Sequence, residues 1–243
     1  MRDGYKKIDA VERIFRMHGN AVIAITKSEQ YNFEIIDALA NTWYCGSSIE
    51  ELYLSIIKFY DFTKRAIRKN TIKSDLKQVE IDSVNVGVFL DINRNLSNYI
   101  QNSCGERFFG NVSTRCQKLF PSLRSNYILV SPRNIDKKSI QPTDMVQCYK
   151  NDSTIYYIGD RKPSVDTPVQ LEIYDNCPNV NYIIHGHAFI DNAPTTDEYY
   201  LCGDFREFYE VYGFIKNNKF GFLNLKNHGF IIYSDTLDNL RYI

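Results

Sequence analysis

The order of helical and strand signals predicts an α/β domain, preceded by a mainly helical N-terminal extension. From about residue 127 onward, short β-branched and aromatic runs alternate with helical ones, which is the pattern of helices layered on a sheet. The 243 residues are 44% hydrophobic and 14% aromatic, enough apolar material to close a core without disulfide or metal staples. The 29 basic and 29 acidic residues cancel, so no basic face for nucleic acid is expected. The longest apolar stretches, residues 21–25 and 182–184, fall far short of the roughly 20 residues of a membrane-spanning helix. Residues 1–7 are basic but have no apolar run behind them, so no secretory signal is read and a cytoplasmic location is expected. Six cysteines, Cys45, Cys104, Cys116, Cys148, Cys177 and Cys202, form no CxxC pair and are expected to be reduced thiols.

In chain order, residues 20–26 are a β-branched strand signal, and residues 29–43, with Phe33, Ile36, Ala38 and Leu39, predict a helix. A second helix opens at Ser48, whose hydroxyl caps it while Glu51 stands at capping-box spacing; Leu52, Ile56, Phe59, Tyr60, Thr63 and Ile67 mark its apolar face. Residues 65–80 turn polar and basic and are expected to be a solvated connector, which puts the extension at residues 1–80 and the main domain at 81–243. A helix over 86–102 opens that domain. Strands are predicted over 127–130, 144–149, 154–158, 182–187, 220–225 and 229–233, with helices over 167–176, closed before Pro178, and over 204–216.

Chemistry concentrates on a few side chains. His185 and His187 stand two apart at the end of an apolar strand, so the pleat turns both imidazoles to one face, within reach of a single ion. His228, between Asn227 and Gly229 at the mouth of another strand, would complete a three-ligand set of the catalytic zinc type. Only His18 of the four histidines lies outside it. An HxH pair alone is equally what a half-buried polar strand displays. Asp166 precedes a helix whose dipole favours a negative group there, and Asp before Thr167 and Pro168 is also an ordinary N-cap.

Five ordered motifs resemble the class II aldolase/adducin family: Gly110-Asn111-Val112-Ser113, Ser131-Pro132, Lys162-Pro163-Ser164-Val165-Asp166-Thr167-Pro168, His185-Gly186-His187 and Asn227-His228-Gly229. The resemblance covers about residues 85–243. It implies a three-layer α/β/α domain around a mixed, largely antiparallel sheet, and homotetramers with active sites between neighbours. It also implies a divalent metal, zinc in the first place, on His185, His187 and His228. In the aldolases of the family the zinc polarises the C2 carbonyl and C3 hydroxyl oxygens of a ketose phosphate and stabilises the enediolate left when the carbon–carbon bond breaks. Asp166 stands where the family's acid/base residue stands. Asn111, Ser113, Ser131 and Ser164 match the loop positions that hold the substrate phosphate, although Asn and Ser are favoured in turns whatever they bind.

This chain departs from the aldolase pattern in four places. Aspartate replaces the usual glutamate, as in the ribulose-phosphate 4-epimerases, where it becomes a fourth metal ligand. Val165 replaces the second serine of its motif, and Asn134 replaces the glycine expected after Ser131-Pro132. The stretch between His187 and Cys202-Gly203 is short. The family's last helices, which often supply a catalytic tyrosine, are expected to be reduced to residues 236–242. The leading expectation is a zinc-dependent aldolase-type lyase on a small ketose or sugar phosphate. Alternatives on the same site are a sugar-phosphate 4-epimerase or dehydratase, and, from another class, an adducin-like binding module without catalysis.

Overall fold

The computed structural model describes residues 7–17, 20–27, 29–78, 81, 83–100, 103–104, 107–116 and 127–241. His18, the expected helix end at residues 101–102 and residue 242 lie outside them. The chain divides into two compact units, Met1–Ala66 with Cys104–Glu106 and Ile67–Ser103 with Arg107–Ile243.

In the first unit, α1 (Lys7–Arg16) precedes a three-stranded antiparallel sheet of β1 (Ala21–Lys27), β2 (Tyr31–Asp37) and β3 (Thr42–Gly46), and α2 (Ile49–Arg65) follows. The helix expected over residues 29–43 is therefore two strands and a turn. Ile35 and Phe33 lie opposite Ile23 and Ile25 of β1. The Asp37 carboxylate then accepts hydrogen bonds from the amides of Leu39 and Asn41, both 2.9 Å, turning the chain where Ala40 sits at φ 66°. An aspartate that captures its own downstream amides offers the backbone an alternative to the helix, and here it wins. Ser48 caps α2 as expected, its Oγ accepting from the Glu51 amide at 3.2 Å. The reciprocal contact comes from elsewhere: the Ser48 amide donates to the Tyr44 hydroxyl, 3.0 Å, and not to the Glu51 side chain. Trp43 packs against Phe59 and Phe62 of α2, centroids 5.0 and 4.9 Å apart.

The second unit holds a mixed eight-stranded sheet in the order β12-β13-β11-β7-β8-β9-β10-β4. Its strands are β4 (Thr71–Lys73), β7 (Asn111–Arg115), β8 (Tyr127–Val130), β9 (Val146–Asn151), β10 (Thr154–Ile158), β11 (Tyr182–Gly186), β12 (Phe220–Leu225) and β13 (Gly229–Ser234). Two short strands, β5 (Ser103–Cys104) and β6 (Arg107–Phe108), come before β7 in the chain. Neighbours are antiparallel except β10 and β4, which run parallel.

Two of these strands depart from the sequence reading. The segment 65–80, expected to be a solvated connector, contributes edge strand β4, too short to show a period, while Lys69 and Lys73 pair with Glu172 and Asp160. Asn111 and Ser113, expected on a loop, lie on central strand β7, between β11 and β8. The polar residues of the run Asn-Val-Ser-Thr-Arg read as turn chemistry locally, but strands pair on both edges, and the side chains of Asn111, Ser113 and Arg115 find partners inside.

Helices cover both faces of the sheet. Val169, Leu171 and Ile173 of α4 (Thr167–Asn176) and Val211 and Ile215 of α5 (Glu207–Ile215) share a core with Ile183, Leu223 and Ile231. Val86, Phe89 and Leu90 of α3 (Ser83–Ile100) and Leu240 of α6 (Leu237–Leu240) share the other with Val112, Ile184 and Ile232. The period of two divides Ile183 from Ile184 and Ile231 from Ile232, so one apolar run serves both cores. This is the three-layer α/β/α arrangement expected from the family. Among the described residues, no helix is long and apolar enough to cross a membrane.

Gly229 starts β13 at φ +150°, and a Cβ there would stand 1.9 Å from the Gly186 carbonyl oxygen of β11. Gly229→Ala is expected to cost about 3 kcal/mol or more through backbone displacement. Gly213→Ala, in open space on α5, should be neutral or stabilise by about 0.5–1 kcal/mol. Urea unfolding of the two variants checks this, and equal midpoints would show that β11 and β13 do not need the close approach.

Candidate metal centre

Strand β11 ends at Gly186, with His185 on it and His187 one residue beyond. His228 closes a three-residue turn between β12 and β13, since Leu225 pairs with Gly229 and the His228 amide donates to the Leu225 carbonyl at 3.1 Å. Asn227 takes φ 55° in that turn, a conformation asparagine tolerates. Because β11 and β13 are adjacent, the three rings converge, with centroids 5.0, 4.9 and 5.2 Å apart. One nitrogen from each lies within 4.8 Å of the others.

The ring orientations are set by partners on the far nitrogens. His185 Nδ1 lies 2.8 Å from the Phe230 carbonyl, which only accepts, so Nδ1 carries the hydrogen and the lone pair is on Nε2. That Nε2 is buried and has no hydrogen-bond partner among the described residues. His228 Nδ1 donates to the Glu207 carboxylate at 2.6 Å, which turns its Nε2 toward the other two histidines. Phe109 stacks on His187 at 5.2 Å. Burial, and then the neighbouring His228, push the His185 imidazole down to about 4, so it is neutral at ordinary pH, the state a metal ligand needs. Burial acts on His228 in the same direction, but the Glu207 carboxylate outweighs it and holds that ring well above its usual value.

Asp166 occupies the N-cap position of α4 but makes no side-chain capping bond. Its carboxylate faces the cluster. Oδ1 accepts from the Gly203 amide at 2.9 Å, and Oδ2 accepts from Asn111 Nδ2 at 3.0 Å and lies 3.8 Å from His185 Nε2. His185 and Ile183 share the sheet face covered by α4 and α5, and those helices open at Asp166 and Glu207. Asn111 lies directly opposite His185 across β7 and β11, so it can span from the strand to Asp166.

Of the four residues expected to bind phosphate, the fold brings Asn111 and Ser164 to Asp166. Ser164 Oγ accepts from Asn111 Nδ2 at 3.0 Å and stands 3.4 Å from Asp166 Oδ2, and Gln170 donates to the Asn111 carbonyl oxygen. The other two hydroxyls are engaged in the interior. Ser113 meets the Tyr174 hydroxyl at 2.9 Å, and Ser131 accepts from the Val112 amide at 3.1 Å. Asn134 takes φ 54°, a left-handed conformation that glycine favours and asparagine tolerates.

Three functional candidates escaped the sequence reading. Glu207 orients His228; its signal was its place on the buried stripe of α5 with Val211 and Ile215, at i, i+4 and i+8. Cys202 was read only as a reduced thiol, and it is free, but its Sγ lies 3.3 Å from His228 Nε2. Lys137 is 1% exposed, and burial pushes its ammonium down to about 8 while Asp136 and Asp166 pull it back up. Its charged neighbours Asp136 and Lys138 give no local sign of a buried lysine.

Three imidazoles converging with correctly turned nitrogens, two of them oriented by a carbonyl and a carboxylate, fit a divalent ion with room for further ligands. A layered, largely antiparallel sheet with this cluster at its strand ends is the arrangement that the sequence resemblance implies. Residues 93–197 match the family model for the "Class II Aldolase and Adducin N-terminal domain", a span that contains Asp166, His185 and His187 and stops before His228. Over those residues, less than half of its length, the chain is similar to the class II aldolase/adducin family. Similar solved structures include YgbL, a putative aldolase/epimerase/decarboxylase from Escherichia coli, at 16% identity over 66% of this chain and 84% of that one, TM-score 0.49. An L-fuculose 1-phosphate aldolase is 16% identical over 66% and 82%, TM-score 0.49. The L-fuculose-1-phosphate aldolase of Thermus thermophilus is 13% identical over 62% and 80%, TM-score 0.43.

The buried neutral His185 makes the metal-free protein acid-sensitive. The unfolded imidazole titrates near 6.5 and the folded one near 4, so between those values the unfolded chain binds more protons and stability falls as pH falls. His228, held above 6.5, is protonated in the folded chain throughout that range and adds only a smaller slope of opposite sign, near pH 6.5. The urea midpoint of metal-free protein should be lower at pH 5 than at pH 6.5, with a smaller drop in His185→Gln. An equal drop in both proteins would remove His185 as the cause.

Proposed function

We propose that this protein is a metal-dependent aldehyde-lyase that cleaves a small ketose or ketose phosphate by retro-aldol chemistry. The observation that carries the reading is the meeting of three converging imidazoles, two of them oriented by partners, with a buried carboxylate that leaves its own helix uncapped. His185, His187 and His228 would hold the ion, zinc in the first place with another divalent metal as the substitute. The ion, when bound, would supply a Lewis acid for the substrate's carbonyl and hydroxyl oxygens. Asp166 would take the proton from the hydroxyl that collapses to the aldehyde and return a proton to the carbon left behind. Asn111 and the Gly203 amide hold its carboxylate in place for that exchange. Ser164, with Asn111, would meet the polar end of the substrate, while Ser113 and Ser131 would support these strands from inside. Assembly as a homotetramer is proposed on the family resemblance.

A second reading, a sugar-phosphate 4-epimerase or dehydratase on the same residues, is favoured by Asp166. With Cys202 and His228 it forms another group whose ligand atoms lie within 4.8 Å, as a fourth metal ligand requires. The adducin-like binding module is favoured by no such observation, since it would not need three converging imidazoles.

Metal analysis of purified protein is expected to find about one zinc per chain, lost in the double variant His185→Ala, His187→Ala. Asp166→Asn should keep the metal and slow aldehyde release from ketose 1-phosphates by about 100-fold or more. Wild-type protein that takes up no divalent metal would sink the enzyme reading. Interconversion of pentulose phosphates without free aldehyde would favour the epimerase.

A further inference from the structure

Cys202 stands closer to the centre than a filler of the core has to. Its Sγ is 3.3 Å from His228 Nε2, the nitrogen that Glu207 turns inward. For an ion bound at about 2.05 Å to nitrogen and about 2.3 Å to sulfur, a tetrahedral angle separates the two ligand atoms by about 3.6 Å. The separation present is within a few tenths of an ångström of that. Cys202 also belongs to a set of atoms, with Asp166 and His228, that all lie within 4.8 Å of one another, and this set shares His228 with the three-histidine group.

The backbone around Cys202 is pinned rather than loose. The next residue, Gly203, sits at φ +75°, with so little room that a Cβ would stand 2.6 Å from the Val165 carbonyl oxygen. Its amide donates to Asp166 Oδ1, and the Asp204 amide turns back to the Leu201 carbonyl at 2.9 Å. The Cys202 segment is thereby locked to the segment that carries Asp166. An independent observation points to a ligand in the same place: His185 Nε2, 3% exposed as a residue and without a hydrogen-bond partner among the described residues, belongs to a ring 4.9 Å from His228.

We propose that Cys202 is a thiolate ligand of the same divalent ion, a fourth protein donor beside the three histidines, which makes the centre prefer zinc or another thiophilic ion over magnesium and manganese. The inference rests on the metal-dependent reading of the site given above. On binding, the S–H bond breaks, its proton leaves to solvent and a sulfur–metal bond forms, with no change of oxidation state. A sulfur donor adds little affinity for hard, oxygen-seeking cations and much for soft or borderline ones, so its effect is on metal choice as well as on affinity.

The test uses the full-length protein loaded with cobalt(II), with cobalt bound per chain measured alongside the spectrum. A thiolate ligand adds an intense sulfur-to-cobalt charge-transfer band in the near ultraviolet that imidazole and carboxylate ligands do not. The band is expected in the wild type and absent from Cys202→Ser and Cys202→Ala, both still binding about one cobalt per chain. In competition, each variant should lose about 10-fold or more of the preference for zinc over manganese. One bound cobalt without the band in wild type, or a band that survives in both variants, overturns the thiolate while leaving the three-histidine site intact. Wild-type protein that binds no cobalt overturns both this inference and the proposed function. The wild-type spectrum alone decides the case if the variants do not fold.

Discussion

Everything at the centre depends on how closely β13 approaches β11. Gly229 has no side chain because the Gly186 carbonyl occupies the space a Cβ would take, at 1.9 Å. That contact sets the start of β13, and so sets where the turn before it leaves His228. A bulkier residue at position 229 would move one imidazole relative to the other two, and three ligands on one ion tolerate little displacement. The HxH pair offers two donors from a single strand end, but the third has to be delivered by the neighbouring strand.

Two helices then supply the carboxylates that make this cluster more than a set of buried histidines. Asp166 and Glu207 stand at the starts of α4 and α5, on the sheet face that carries His185. A buried carboxylate is costly unless it is paired or hydrogen-bonded. Glu207 meets this by accepting from His228, and Asp166 by accepting from Asn111 and Gly203. Their arrangements differ in kind. Glu207 points to the outer nitrogen of a candidate ligand and can only orient it, whereas Asp166 Oδ2 stands 3.8 Å from the inward Nε2 of His185.

Much of this was legible before any coordinates. The strands over 127–130, 154–158 and 220–225 and the helix over 167–176 occupy the expected residues, because each carries a strong local signal: β-branched and aromatic runs, or Thr-Pro at a helix start. The failures have local causes as well. Residues 29–43 have enough apolar content to pass for a helix, yet Asp37 captures the amides that follow it. Strand β7 carries turn-favouring Asn111 and Ser113 within its five residues, and β8 and β11 flank it on both edges. The partners of Ser113 and Ser131, the Tyr174 hydroxyl and the Val112 amide, are contacts that no motif encodes.

By itself, the sequence determined the α/β layering of the domain and singled out the three histidines and Asp166 as candidates, since these sit in short ordered motifs. Only the tertiary structure decided that Asp166 leaves its helix uncapped and turns to the cluster, that Glu207 orients His228 from 21 residues away, and that Cys202 reaches the same ring from 26 residues away. The physical reason is range. Periodicity and motif spacing report contacts within one element, whereas the groups that aim and complete this centre come from different elements, and their meeting is a property of how strands and helices pack.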